Sequence, residues 1–159
     1  MIRSASDLIS LDNPNYQYVA ARLLLYAIRK SLYGRLWELP HLYDHITDCI
    51  EGDVYDSDIL VKYTREEIET LNDIIDHGRD FIFTYAGLRQ VADKYLVQDR
   101  SSGKVYETPQ FMYLLIAMTI FADYPQETRL DYVTRYYTAI SKHRINIPTP
   151  IMGGVRTPL

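Results

Sequence analysis

The stretch TPQFMYLLIAMTIFADYPQETRL, residues 108–130, decides the fold. Thr108-Pro109 is a helix start, because proline in the first turn lacks an N–H that would have no helical partner there. From Phe111 to Tyr124 the run has almost no polar side, so this helix has to be covered in nearly every direction. Its apolar part, Phe111 to Ala122, is about a dozen residues, short of the roughly 20 that cross a bilayer, which makes it a core helix. Pro125-Gln126-Glu127 starts the next helix, with Leu130, Val133, Tyr137 and Ile140 on one face and Arg129, Asp131 and Arg135 on the other. These two helices are the expected centre of a mainly α fold.

Upstream, Asn13-Pro14 opens a helix in which Val19, Leu23, Tyr26 and Lys30 recur at helical spacing, with Gly34 as its stop. Pro40 opens a second, through Leu42, His45, Ile46 and Ile50 to Gly52. Thr64-Arg65-Glu66-Glu67 has the capping-box spacing and starts a third, with Ile68, Leu71, Ile74 and Ile75 at helical intervals. Phe81-Ile82-Phe83 is expected as a short β-prone entry to a helix running from Thr84 to Lys94. Tyr95 to Gln98 and Lys104 to Glu107 flank the polar turn Asp99-Arg100-Ser101-Ser102-Gly103, which predicts a small β-hairpin. Downstream, Ile145 to Gly154 holds two prolines and two glycines and is expected as a strand leading into a loop.

Composition narrows the function classes. The 159 residues are 47% hydrophobic and 24% charged, as in an ordinary globular domain, so disorder and fibrous repeats are not indicated. Net charge is -4 and the basic residues are scattered singly, which leaves no footprint for a nucleic-acid backbone. Neither a membrane span nor a secretory signal is visible at Met1-Ile2-Arg3-Ser4-Ala5, and Cys49 is the single cysteine, so a reducing, cytoplasmic setting is expected. The 15 tyrosines against four phenylalanines are explained by rings that bury their bodies while the hydroxyl reaches a partner; redox chemistry is the rarer alternative.

Several residue groups invite chemistry. His41, Asp44, His45 and Asp48 have helical spacings compatible with a metal site, and Asp76-His77-Gly78-Arg79-Asp80 has the look of a metal-dependent phosphohydrolase. For both, capping and neighbour pairing are the stronger explanation, so no metal ligand is assigned. Cys49 lies inside an amphipathic helix without a cationic setting to lower its pKa, which favours a buried small hydrophobe over a nucleophile. Pro148-Thr149-Pro150 followed by Gly153-Gly154 offers a fixed backbone, a hydroxyl and close-approach glycines, a combination suited to an anion such as phosphate.

Four words carry a resemblance: Asn15-Tyr16-Gln17-Tyr18-Val19-Ala20-Ala21-Arg22-Leu23, Lys94-Tyr95-Leu96-Val97, Tyr106-Glu107-Thr108-Pro109-Gln110-Phe111 and Pro148-Thr149-Pro150-Ile151-Met152. In this order they resemble the large subunit of class I ribonucleoside-diphosphate reductases, across nearly the whole chain. That resemblance implies the amino-terminal helical domain of the large subunit, with a C-terminal strand leading toward an α/β barrel that lies outside the chain. It implies residues 1–12 as a remnant of the last helix of an ATP-binding cone, 13–80 as a helical linker region, 81–156 as the helical domain and 157–159 as the start of the barrel. Leu159 stands where the family continues with threonine.

The resemblance also implies the roles. Thr149 matches a threonine that helps bind the substrate diphosphate, and Lys30 matches a lysine that contributes to ATP binding at the overall-activity site. The thiyl radical, the redox cysteines, the carboxylate base and the tyrosine pathway all lie beyond the matched segment, so no catalytic residue is expected here and the segment alone is expected to be inactive. The parent enzyme uses ATP and deoxynucleotide effectors and a radical-generating, metal-containing small subunit. The partners so implied are the remainder of the large subunit, that small subunit and a nucleoside diphosphate, with no nucleic acid and no membrane. The alternative is a stand-alone regulatory or protein-interaction domain without catalysis.

Overall fold

The computed structural model describes residues 1–158, and Leu159 lies outside the described residues. It is mainly helical, with α1 (Ile2–Ser6), α2 (Tyr16–Tyr33), α3 (Leu42–Glu51), α4 (Asp58–Lys62), α5 (Arg65–Ile74), α6 (Tyr85–Lys94), α7 (Pro109–Phe121), α8 (Gln126–Ser141) and α9 (Thr149–Gly154). One antiparallel hairpin pairs β1 (Gln98–Asp99) with β2 (Lys104–Val105). The chain divides into two compact units, Met1–Leu39 with His77–Pro109, and Pro40–Asp76 with Gln110–Leu159.

In the first unit α2 packs against α1, α6 and a 3-10 helix at His77–Ile82. The buried stripe of α2 is Ala20, Ala21, Leu24, Leu25, Ile28 and Arg29, while Val19 is 46% exposed. The small Ala20 and Ala21 let a neighbouring helix approach closely, and α6 presents Leu88, Val91 and Ala92 as its own buried side. Gly34 ends α2 with φ +68, the left-handed conformation that costs a residue with a Cβ about 1–2 kcal/mol. Arg29 is buried yet paired: it lies 3.4 Å from the Asp80 carboxylate, donates to the His77 carbonyl at 3.1 Å and sits over the Phe81 ring.

The hairpin is shorter than its β-prone flanks, with Gln98 opposite Val105 and Asp99 opposite Lys104. Its turn is organised by the Asp99 carboxylate, which accepts hydrogen bonds from Ser102 Oγ at 2.7 Å and Ser101 Oγ at 2.7 Å. Those bonds, led by that from Ser102, hold the Asp99 pKa down to about 2.

The second unit is built on α7. Every residue from Phe111 through Met118 is buried, as the apolar run requires, and Tyr113 alone among them keeps any exposed surface. The Tyr63 hydroxyl donates to the Met118 carbonyl at 2.7 Å, and burial pushes the Tyr63 phenol well above its ordinary pKa. The Tyr137 hydroxyl donates to Gln110 Oε1 at 2.8 Å and accepts from the Asp76 N–H at 3.0 Å, fixing α8 and the end of the α5 segment to the start of α7. Thr64 caps α5 in a complete capping box with Glu67, as the spacing predicts.

Three expectations are corrected. Arg129 does not lie on a solvent face: the buried stripe of α8 includes Arg129, Val133, Tyr137 and Ile140, because Glu67 supplies a carboxylate that makes burial of the guanidinium tolerable. Phe81-Ile82-Phe83 is not a β entry; Phe81 and Ile82 close the 3-10 helix, and the sheet among the described residues pairs β1 with β2 alone. The C-terminal strand is replaced by α9, where Pro148 is the N-cap and Pro150 falls in the first turn, so neither proline breaks a helical hydrogen bond. The short helix α4 is an addition, its five residues being too few to show a periodicity.

Candidate functional site

The Pro148-Thr149-Pro150 segment sits at the start of α9, and all three residues are exposed. The Pro148 carbonyl accepts from the N–H groups of Ile151 at 3.1 Å and Met152 at 3.2 Å, so the helix begins at Thr149. No residue of α9 is buried, and Ile151 and Met152 are half-buried. Just past the helix the chain turns inward: Arg156 has 0% exposure, and its Nη1 donates to the Met152 carbonyl at 2.7 Å. The Arg156 carbonyl accepts from the Asp56 N–H at 3.0 Å, joining this segment to the chain just before α4. An exposed threonine on a fixed, proline-flanked turn can present its hydroxyl to an anion without first ordering the backbone.

Lys30 lies in the last turn of α2 and is exposed. It lines an open cavity of about 650 Å³ with Arg3, Leu23, Tyr26, Ala27 and Leu36 among its walls. That volume is in the range of small-molecule sites, and the combination of an apolar wall with two cationic side chains suits a ligand with a flat apolar part and an anionic tail.

The other candidates separate. His41 is the N-cap of α3, its Nδ1 accepting from the Tyr43 N–H at 3.3 Å while Nε2 lies 2.8 Å from Glu69 Oε2. His45 is instead buried, stacked on Phe111 with ring centroids 4.0 Å apart, and bonded through Nε2 to the Tyr55 hydroxyl at 2.9 Å. Asp44 and Asp48 are exposed, so the four do not converge. Within Asp76-His77-Gly78-Arg79-Asp80, Asp80 pairs with Arg29 while Asp76 belongs to the other unit. Among the described residues no group of three His, Cys, Asp or Glu side chains could hold a metal ion. Cys49 is 6% exposed, with its Sγ 3.9 Å from His45 Nε2. No helix among the described residues is long and apolar enough to cross a membrane.

Sequence reasoning misses three buried arginines: Arg29, paired with Asp80, Arg129 and Arg156. Arg129 Nε donates to Glu67 Oε1 at 2.8 Å, and Nη2 adds a second bond to Oε2 and one to the Lys62 carbonyl. Burial opposes the charged form of Glu67, but the Arg129 guanidinium and the Thr64 N–H outweigh it and hold the carboxyl below its ordinary pKa. A signal exists for Arg129, which stands four residues before Val133 on the same helical row. Arg156 has no such signal, because it bonds to a main-chain carbonyl, a group that every residue carries.

The comparisons with known proteins agree on one group. The family described as "Ribonucleotide reductase, all-alpha domain" matches residues 81–159. Over 158 residues the chain is 51% identical to the ribonucleoside-diphosphate reductase subunit alpha of Haemophilus influenzae and 51% identical to ribonucleoside-diphosphate reductase 1 subunit alpha of Escherichia coli. It is 47% identical to the subunit alpha of Enterobacteria phage T4. In each case 99% of the chain is covered, but only 21% of the relative.

Proposed function

The chain belongs to the ribonucleotide reductase large-subunit family, and from that premise we propose that it is the helical scaffold of an enzyme that reduces ribonucleoside diphosphates to deoxyribonucleoside diphosphates. The single observation that carries this is the match of 99% of the chain at 51% identity to subunits bearing that name. The chain spans about a fifth of the length of those relatives, so the reduction itself is assigned to the remainder of the large subunit together with a radical-generating, metal-containing small subunit. No catalytic residue is assigned to this chain.

Thr149 is the proposed contribution to substrate binding, its hydroxyl meeting the diphosphate of the nucleotide. Its exposure and the proline-fixed turn that carries it support that role. Lys30 is the proposed contribution to ATP binding at the overall-activity site, supported by its place beside Arg3 on the wall of the cavity at α1 and α2. A bound ATP or deoxynucleotide would act there as an effector, not as a reactant. In domain terms, residues 1–12 are proposed as the end of an ATP cone, 13–80 as a linker region, 81–156 as the helical domain and 157–159 as the approach to a barrel.

The test of the Thr149 role is equilibrium binding of a nucleoside diphosphate to a complete large subunit carrying this segment, with and without Thr149→Val. Loss of one hydrogen bond to a charged phosphate is expected to weaken binding about tenfold. Unchanged affinity would remove Thr149 from the site. A chain that folds and yet supports no reduction in any assembled large subunit would favour the alternative, a stand-alone regulatory or protein-interaction domain.

A further inference from the structure

We propose that Arg156 is a positioning residue for substrate binding: its buried side chain ties the end of α9 to a residue whose main chain is bonded to Asp56, and so holds Thr149 at the place where the substrate diphosphate is met. This rests on the reading of Thr149 as a diphosphate ligand.

A six-residue helix makes few hydrogen bonds of its own, and its last carbonyls have no helical partner. Burial of apolar side chains ordinarily holds such a helix in place, but α9 has no buried residue. Arg156 is the contrast, fully buried only seven positions after an exposed threonine. A guanidinium is taken out of water only where hydrogen bonds replace its hydration.

The geometry shows what the residue joins. Nη1 of Arg156 donates to the Met152 carbonyl at 2.7 Å, near the C-terminal end of α9, where a positive charge also complements the helix dipole. The main chain of the same residue accepts from the Asp56 N–H at 3.0 Å. Asp56 is itself fixed, since its Oδ1 accepts from the Asp58 N–H at 2.9 Å at the start of α4. Thr157 closes the segment, its N–H and Oγ1 reaching the Gly154 carbonyl at 3.3 and 3.0 Å. The side chain thus ties the far end of α9 to Arg156, whose main chain is bonded to Asp56 just before α4, and Thr149 stands at the near end of the same helix; a substitution of Arg156 cuts the first of these ties and leaves the second.

Three consequences separate positioning from bulk stability. A displaced Thr149 weakens binding of the diphosphate without altering the reductive chemistry, so KM rises while kcat holds. The effect depends on the Thr149 hydroxyl, so it vanishes when that hydroxyl is already gone. Lysine retains the charge but not the planar fork, so Arg156→Lys keeps part of the function that Arg156→Gln loses.

The experiment is a double-mutant cycle in a complete large subunit carrying this segment, assembled with its small subunit, using Thr149→Val, Arg156→Gln, Arg156→Lys and the double variant Thr149→Val with Arg156→Gln. KM and kcat for a nucleoside diphosphate and the thermal midpoint are measured for each. The expected result is a rise in KM of about tenfold for Thr149→Val and for Arg156→Gln, a smaller rise for Arg156→Lys, and no further rise in the double variant. If Thr149→Val raises KM and the Arg156 variants do not, or their effects multiply in full, the positioning role is overturned and the Thr149 reading stands. If Thr149→Val leaves KM unchanged, the Thr149 reading fails and this inference fails with it. If neither Arg156 variant yields folded protein, Arg156 is a stability residue and the proposal is overturned.

Discussion

Two helices of this molecule begin with the same kinds of residue and end in opposite circumstances. Thr108-Pro109 leads into α7, whose residues from Phe111 to Met118 are all buried, and Pro148-Thr149-Pro150 leads into α9, which buries none. The first is held from every side by apolar contact; the second has only Ile151 and Met152 half-buried, with the Met152 carbonyl bonded to the buried Arg156. The starting signal is local and shared; what holds each helix is not. Hence α7 defines the fold of its unit, whereas α9 presents Thr149 to solvent on a proline-flanked turn.

That contrast can be broken most forcefully in α7. Leu114 has 0% exposure, so Leu114→Ala should lower stability by about 4 kcal/mol through lost burial and the cavity left behind. Urea unfolding monitored by circular dichroism measures it, and a loss under about 1 kcal/mol would mean that α7 is not the centre of its unit.

The next effect in size concerns the Glu67–Arg129 pair in the same unit. Glu67→Gln keeps the capping box but removes the charge opposite a buried guanidinium, and about 3 kcal/mol of stability should go with it at neutral pH. The pH dependence comes from the lowered Glu67 pKa. In the unfolded chain this carboxyl titrates near the ordinary value of about 4.3, so its contribution is complete above that pH and is lost as pH falls through the lower folded value. Acid unfolding curves should therefore be shallower in Glu67→Gln, and identical acid limbs would contradict the assignment.

A smaller loss is expected in the first unit. Gly34 takes φ +68 with nothing within 4 Å of an added Cβ, so Gly34→Ala should cost about 1 kcal/mol from backbone strain alone. A thermal melt that does not shift would show that the end of α2 relaxes out of the left-handed conformation.

The smallest stability effect belongs to α9, and it sharpens the contrast. Thr149 is exposed, so Thr149→Val should change stability by less than about 0.5 kcal/mol while still weakening diphosphate binding. A melt lowered as far as in the Leu114 variant would erase the distinction between the two helices.

What the sequence makes legible divides along the same line. The α7 run announces its burial because a dozen or so apolar residues in a row admit few other arrangements, and the Thr64 and Glu67 spacing announces a capping box that is present. The helix α9 is hidden because proline and glycine content argues against a helix interior, whereas Pro148 and Pro150 occupy the cap and first turn. The α2 row of Val19, Leu23, Tyr26 and Lys30 is a true helical row, but it lies beside the buried stripe, and Leu23, Tyr26 and Lys30 line the cavity instead. The only local mark of Arg129 burial is its place one turn before Val133, because what makes the burial tolerable is Glu67, a partner 62 positions away. Arg156 is invisible for another reason, since a bond to a main-chain carbonyl leaves no mark on residue identity. Thr149 is proposed from the proline-flanked hydroxyl ahead of Gly153-Gly154 and from a resemblance of words, and no periodicity marks it.

That this segment is a working scaffold of a ribonucleoside-diphosphate reductase large subunit is tested most directly by a segment exchange. Residues 1–159 replace the matching segment of the Escherichia coli subunit alpha, to which the chain is 51% identical, and deoxyribonucleoside diphosphate formation is measured in the assembled enzyme. The expected result is a folded hybrid that forms product, with activity that falls at low substrate when Thr149 is replaced by valine. A hybrid that folds and assembles with the small subunit but forms no product would contradict the scaffold role.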